Sequence, residues 1–195
     1  MANYYIGDPH IGHANVIRLD GRPFSSVEEM EIEIVRRWNE RITPQDTVNI
    51  IGDFSWKTSS GWIPVIQELK GRKVLVRGNH DPKHIDGKLA KLFEDIKDYK
   101  EIRDGNRRVC MCHFPMMFYN HSHDPNTYMV CAHVHTTKEN EWLEKWRAEL
   151  RRQRIIDGAG NYGNIINVGC MMPYMDYTPR TLDELIEGVG WCARE

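Results

Sequence analysis

With 195 residues, 41% of them hydrophobic and 28% charged, the chain has room for one globular domain with a continuous core, residues 1–195, rather than two. Its net charge of −2 gives no cationic footprint of an obligate nucleic-acid binder, and no apolar run nears the roughly 18 residues of a membrane span. The start MANYYIGDPH carries no basic and apolar leader, and the five cysteines (Cys110, Cys112, Cys131, Cys170, Cys192) form no disulfide framework, so a cytoplasmic protein with reduced thiols is expected.

Short β-branched or aromatic runs alternate along the chain with amphipathic helical patterns, which predicts an α/β layered domain. The first strand covers 3–6 and runs into GDPH. After the RPF turn at 22–24, Ser26 and Glu29 form a capping box for a helix whose Val27, Met30, Ile34 and Trp38 share one face. A strand at 47–51 ends in GDF, a short helix covers 63–69, and a strand at 73–76 ends in RGNHD. A helix near 88–93 precedes a hairpin whose arms, 96–102 and 107–112, flank Asp104-Gly105-Asn106, with His113 closing the second arm. A strand at 127–131 ends in AHVH. The highly charged stretch 138–154, with Trp142, Leu143, Trp146 and Leu150 on one face, reads as an inserted helix. A strand at 165–168 ends in Gly169, and Thr181 with Glu184 caps a last helix from about Leu182.

Five of the nine histidines, His10, His80, His113, His133 and His135, directly follow apolar runs. Successive strand ends thus each supply Asp, Asn or His, and the carboxyl ends of strands are where ligand sites assemble in layered α/β proteins. Asp8 and His10, and again His133 and His135, are separated by one residue; in extended backbone their side chains point the same way and can chelate one ion. Asp53 and Asn79 follow glycines that allow a sharp turn. Asp8, His10, Asp53, Asn79, His113, His133 and His135 are more O and N ligands than one tetrahedral zinc requires, whereas two ions sharing a bridging carboxylate would use them all. Two divalent ions against two carboxylates leave a charge of about +2, suited to a phosphate anion.

DPH at 8–10, GD at 52–53, GNHD at 78–81, His113 and HVH at 133–135, in this order, resemble the five-block signature of the calcineurin-like metallophosphoesterases, and INVG at 166–169 is similar to the strand that follows. GHANVIRLDGRPF at 12–24 and HFPM at 113–116 look like small bacterial and bacteriophage members of predicted phosphohydrolase type. The resemblance implies a four-layer α/β/β/α sandwich. It also implies that Asp8, His10 and His135 bind one metal, that Asn79, His113 and His133 bind the other, and that Asp53 bridges. Asn79 would also lie close to substrate, and His80 would contact the phosphate and act as general acid, oriented by Asp81. Two departures stand out: Ala132 replaces the usual glycine before HxH, and FSWKT follows Gly52-Asp53 where the protein Ser/Thr phosphatase branch has Asp-Arg-Gly, which argues against that branch.

The expected reaction is hydrolysis of a small-molecule or nucleotide phosphoester through a dinuclear centre and bridging hydroxide. A ligand set of O and N without cysteine suits Mn²⁺, with Zn²⁺, Fe or Ni²⁺ as alternatives. Arg22 and His123 are the first candidates for substrate contact, with His13, Asn15, Arg18 and His121 behind them. Two other functions compete. A nuclease or cyclic-nucleotide phosphodiesterase would draw on Lys145, Arg147, Arg151, Arg152 and Arg154 for phosphate contacts, and a non-catalytic scaffold would use the fold as the retromer complex does. Bulk charge does not indicate nucleic acid as a partner, and the oligomeric state is not legible.

Overall fold

Runs rich in Val, Ile, Tyr and Cys form two four-stranded sheets in the computed structural model, which describes residues 1–85, 87–157 and 163–190. Cys192 and the side chain of Arg154 lie outside the described residues. The first sheet places β1 (Asn3–Ile6), β2 (Thr47–Ile51), β3 (Arg72–Val76) and β4 (Asp95–Lys97) side by side, all parallel. Its register, Ile6↔Ile50 and Ile50↔Leu75, brings the carboxyl ends of β1, β2 and β3 to one edge. The second sheet orders β5 (Tyr99–Asp104), β6 (Arg107–Cys112), β7 (Thr127–Cys131) and β8 (Ile165–Asn167), antiparallel between β5 and β6 and parallel beyond. The sheets meet at Gly7, whose amide donates to Val168 O (2.7 Å) and whose carbonyl accepts from Cys170 N (2.8 Å).

Strand alternation separates the two faces of the second sheet. Val109, Met111, Val130 and Ile166 join the main core with Ile6, Ile50 and Leu75 of the first sheet, while Cys110, Met129, Cys131 and Ile165 form a second cluster. That second cluster is covered by Leu143 and Trp146 of α5 (Lys138–Asp157). On the far side of the first sheet, α2 (Val27–Arg41) contributes Met30, Ile34 and Trp38, and α3 (Ser59–Glu68) contributes Trp62 and Ile66. Each such side chain adds about 1.5–3 kcal/mol on burial. The order helix, sheet, sheet, helix is the expected four-layer α/β/β/α sandwich. Helix α6 (Leu182–Gly188) opens with the full capping box of Thr181 and Glu184. Among the described residues, no helix is long and apolar enough to cross a membrane.

Several local expectations change. The arm 96–102 is two strands: Asp95–Lys97 pairs with β3, and one residue later Tyr99–Asp104 pairs with β6, so the chain changes sheets at Asp98. The helix near 88–93 is a single turn, α4 (Gly87–Ala90). A further helix, α1 (Ala14–Asp20), ends at Gly21 in left-handed backbone (φ 63°). At α2, Ser26 accepts from the Glu29 amide, but the Glu29 carboxylate binds Ser25, so only half the predicted box forms. On α5, Trp142 is 63% exposed and so leaves the predicted apolar stripe. Of the basic residues on α5, Arg147 is buried, donating to Ile165 O (2.7 Å) and pairing with Glu144, and the exposed Arg152 pairs with Glu149.

Candidate metal centre

At the edge where the strand ends converge, the backbone is not extended as the chelating-pair reasoning supposed. Asp8 (φ 52°), His10 (51°), Asp53 (49°), His133 (71°) and His135 (45°) all adopt left-handed conformations. Asp and His tolerate this region better than most residues, yet each such residue costs on the order of 1–3 kcal/mol and persists only where its surroundings hold it. Here the blocks hold one another. Asp8 N donates to Gly52 O (3.1 Å), His10 N to Asp53 O (3.1 Å), His133 N to Asp8 Oδ2 (2.9 Å) and His80 N to Asp53 Oδ1 (2.8 Å). The methyl group of Ala132 is accommodated because it faces Gly7, where a Cβ would approach it to 2.6 Å.

Two ligand groups result: Asp8, His10 and His135, and Asp53, His113 and His133, with the ligand atoms of each group within 4.8 Å of one another. Asp53 lies between them, its Oδ2 3.8 Å from His10 Nε2 and 3.4 Å from His113 Nε2. Asn79 Oδ1 is 3.1 Å from His113 Nε2. His113 Nδ1 donates to Ile51 O (2.9 Å) and His135 Nδ1 to Asp20 Oδ1 (2.8 Å), which orients both rings with Nε2 toward the site.

Burial is the largest influence on every ionisable group of the cluster. Burial pushes the Asp8 carboxyl up to about 6. Burial, and then the neighbouring His135, hold His10 well below the ordinary imidazole value. For His113 burial works the other way, but the Asp53 hydrogen bond and the charges of Asp8 and Asp53 outweigh it and lift the pKa to about 8. Burial also opposes the Asp53 charge, and the contacts from His113 and the His80 amide outweigh it, holding Asp53 below the usual carboxylate range. Asp8 Oδ1 is buried with no hydrogen-bond partner, and His10 Nε2 faces His135 Nε2 at 3.3 Å. Divalent cations fit here: they satisfy an orphaned carboxylate oxygen and converging imidazole lone pairs together.

Around the groups lies a cleft of about 480 Å³ lined in part by His80, His13, Trp56 and Thr137. His80 is exposed, its ring 4.7 Å from Trp56 and 5.9 Å from His10. Asp81, expected to orient it, does something else: its buried carboxylate accepts from Asp53 N (3.0 Å), Phe54 N (2.9 Å) and Gly78 N (2.9 Å). These bonds tie the second and third blocks together, so Asp81 is a positioning residue. Arg22, expected on substrate, is 4% exposed and donates to Pro9 O (2.9 Å) and Asp8 O (3.0 Å) while pairing with Asp20, so its fork holds the first block. His123 is exposed beside His121 (5.9 Å) and does not line the cleft, nor do Asn15 and Arg18.

Sequence reasoning missed Asp20 and Trp56. Asp20 sits in the 12–24 block, and the Gly21 after it marks a helix end, but its partner is 115 residues away. Removing Asp20 deprives His135 Nδ1 of its acceptor. Asp20→Ala is therefore expected to weaken binding of divalent metal by 10–100-fold, roughly the usual effect of losing such a partner, as read by calorimetric titration; unchanged affinity would refute this role.

A calcineurin-like phosphoesterase family model matches residues 4–169. The chain is 39% identical over 80 residues to an uncharacterized protein of Methanocaldococcus jannaschii, an overlap of 40% of this chain and 46% of that relative, so it spans less than half of that protein's length. It is 25% identical to the gene 66 protein of Mycobacterium phage L5, over 80% of this chain and 94% of that one. Among solved structures it is similar to a protein of unknown function from Aquifex aeolicus, with a TM-score of 0.67 and 25% identity over 95% of this chain and 97% of the other.

Proposed function

Because the chain belongs to the calcineurin-like phosphoesterase family, we propose that it is a metal-dependent phosphoesterase working through two divalent ions. The observation that carries this reading is Asp53, a carboxylate within 3.8 Å of a ligand nitrogen in each of the two groups. Asp8, His10 and His135 would hold one ion, His113, His133 and Asn79 the other, and Asp53 both. The ions, when bound, supply Lewis acidity and a water nucleophile active at neutral pH, with Mn²⁺ the preferred metal.

The chain's own residues supply the rest. His80 stands at the cleft, its amide anchored on Asp53 Oδ1 and its ring against Trp56, where it can reach a substrate phosphate and give a proton to the leaving oxygen. Asp81 and Arg22 keep the blocks that carry Asp53 and Asp8 in place. With ions held by the ligand cluster, a phosphoester in the cleft would meet positive charge beneath it and the His80 imidazole beside it, which would favour the charge that develops on the phosphoryl oxygens.

The test is hydrolysis of an aryl phosphomonoester and an aryl phosphodiester by purified protein, with and without added Mn²⁺, together with His80→Ala. Turnover should require metal, and His80→Ala should lose about 10²–10⁴-fold while still binding two ions per chain. Activity that withstands chelation would refute a metal-dependent reaction. Loss of metal in His80→Ala would make His80 structural, and inactivity across a broad phosphoester panel would favour the scaffold reading.

A further inference from the structure

The cleft beside the ligand groups, about 480 Å³, has room for more than a phosphate, and its composition is lopsided. Its floor is the polar ligand cluster, whereas one wall is formed by Val16, Leu19 and Trp56. Leu19 is 64% exposed and Trp56 49% exposed, and large apolar side chains left open beside a polar centre mark a binding surface. Trp56 is held in place, stacked on His13 with ring centroids 4.1 Å apart and planes 9° apart, and Leu19 lies on α1 beside Asp20, whose carboxylate is fastened to His135 and Arg22. Among the described residues no lysine or arginine lines the cleft, so no side-chain cation there would hold a second phosphate or a nucleic-acid backbone.

We propose that the substrate is a phosphoester with a single phosphate whose organic group is a flat aromatic ring system, packed against Trp56 and Leu19 while its phosphate meets the ligand cluster. This rests on the phosphoesterase reading above. A rigid aromatic wall contributes to affinity without regard to hydrogen-bond pattern, because any ring presents a π-face. A sugar phosphate has no flat apolar face to cover Leu19 and Trp56, which would stay in water.

The probes are phenylphosphonate, methylphosphonate and inorganic phosphate, none of them hydrolysed, titrated calorimetrically into Mn²⁺-loaded protein. Phenylphosphonate should bind about tenfold more tightly than methylphosphonate. That ratio should fall toward one in Trp56→Ala, persist in Trp56→Phe and shrink in Leu19→Ser. As a ratio it is insensitive to a general loss of metal or phosphate affinity. Should Trp56→Ala fail to fold, Leu19→Ser decides, since its side chain lies largely in solvent. Equal binding of the two phosphonates, or a preference untouched by both Trp56→Ala and Leu19→Ser, would overturn the aromatic wall while leaving the phosphoesterase reading intact. If neither phosphonate nor inorganic phosphate binds the metal-loaded protein, the phosphoesterase reading falls and the proposal falls with it.

Discussion

Asp53→Ala is expected to reduce phosphoester hydrolysis by about 10³-fold or more and to leave fewer than two ions per chain. Asp53 lies between the two ligand groups, 3.4 Å from His113 Nε2 and 3.8 Å from His10 Nε2, and in the proposed reading it is the carboxylate that both ions would share. Charge stabilisation by a metal centre is worth several kcal/mol in a phosphoryl-transfer transition state, and at 1.36 kcal/mol per decade a loss of ~4 kcal/mol is a thousandfold. The same substitution frees the His80 amide from its acceptor, so the loop bearing Asn79 and His80 loosens as well. Turnover of an aryl phosphomonoester with Mn²⁺, together with metal content by mass spectrometry, checks both parts. Far-UV circular dichroism separates them from misfolding. Activity within tenfold of the unmodified protein would sink the bridging role of Asp53.

Asp81→Ala should act on stability instead. Its carboxylate takes three backbone amides, those of Asp53, Phe54 and Gly78, in a setting that is 6% exposed. Leaving buried donors unpaired costs about 1–3 kcal/mol each. Burial also works against the Asp81 charge, pushing its pKa up to about 6, so losing the carboxylate relieves part of that strain and the net effect stays near the low end. A destabilisation of about 3 kcal/mol corresponds to a fall in Tm of about 6–12 °C for a domain of this size. A melt followed by circular dichroism measures it. If Tm moves by less than about 2 °C while turnover falls, Asp81 acts on His80 after all and the positioning role assigned to it is wrong.

What could be read from the chain was what depends on short stretches. The strands at 3–6, 47–51, 107–112 and 127–131 each end in an apolar run that Gly or His follows within two residues, and both cues lie within one block, so these strands are legible directly. The same holds for Ser26 and Thr181 as helix caps, because the group they satisfy is three residues away. The change of sheet at Asp98 left no such mark: Ile96 and Ile102 alternate as one strand would, and only their different partners, β3 and β6, divide them.

The candidate site divides along the same line. Its ligand types and their order were fixed by local sequence, since chelating chemistry needs Asp, Asn and His at strand ends wherever the strands go. The left-handed backbone at Asp8, His10, Asp53, His133 and His135 was not, because it is held by hydrogen bonds between blocks as much as 125 residues apart. Nor were the tasks of Arg22, Asp81 and Asp20. A buried carboxylate or guanidinium binds whatever donor or acceptor the fold brings within about 3 Å. Composition made these residues polar and available; tertiary contact determined that they would fasten the candidate ligands.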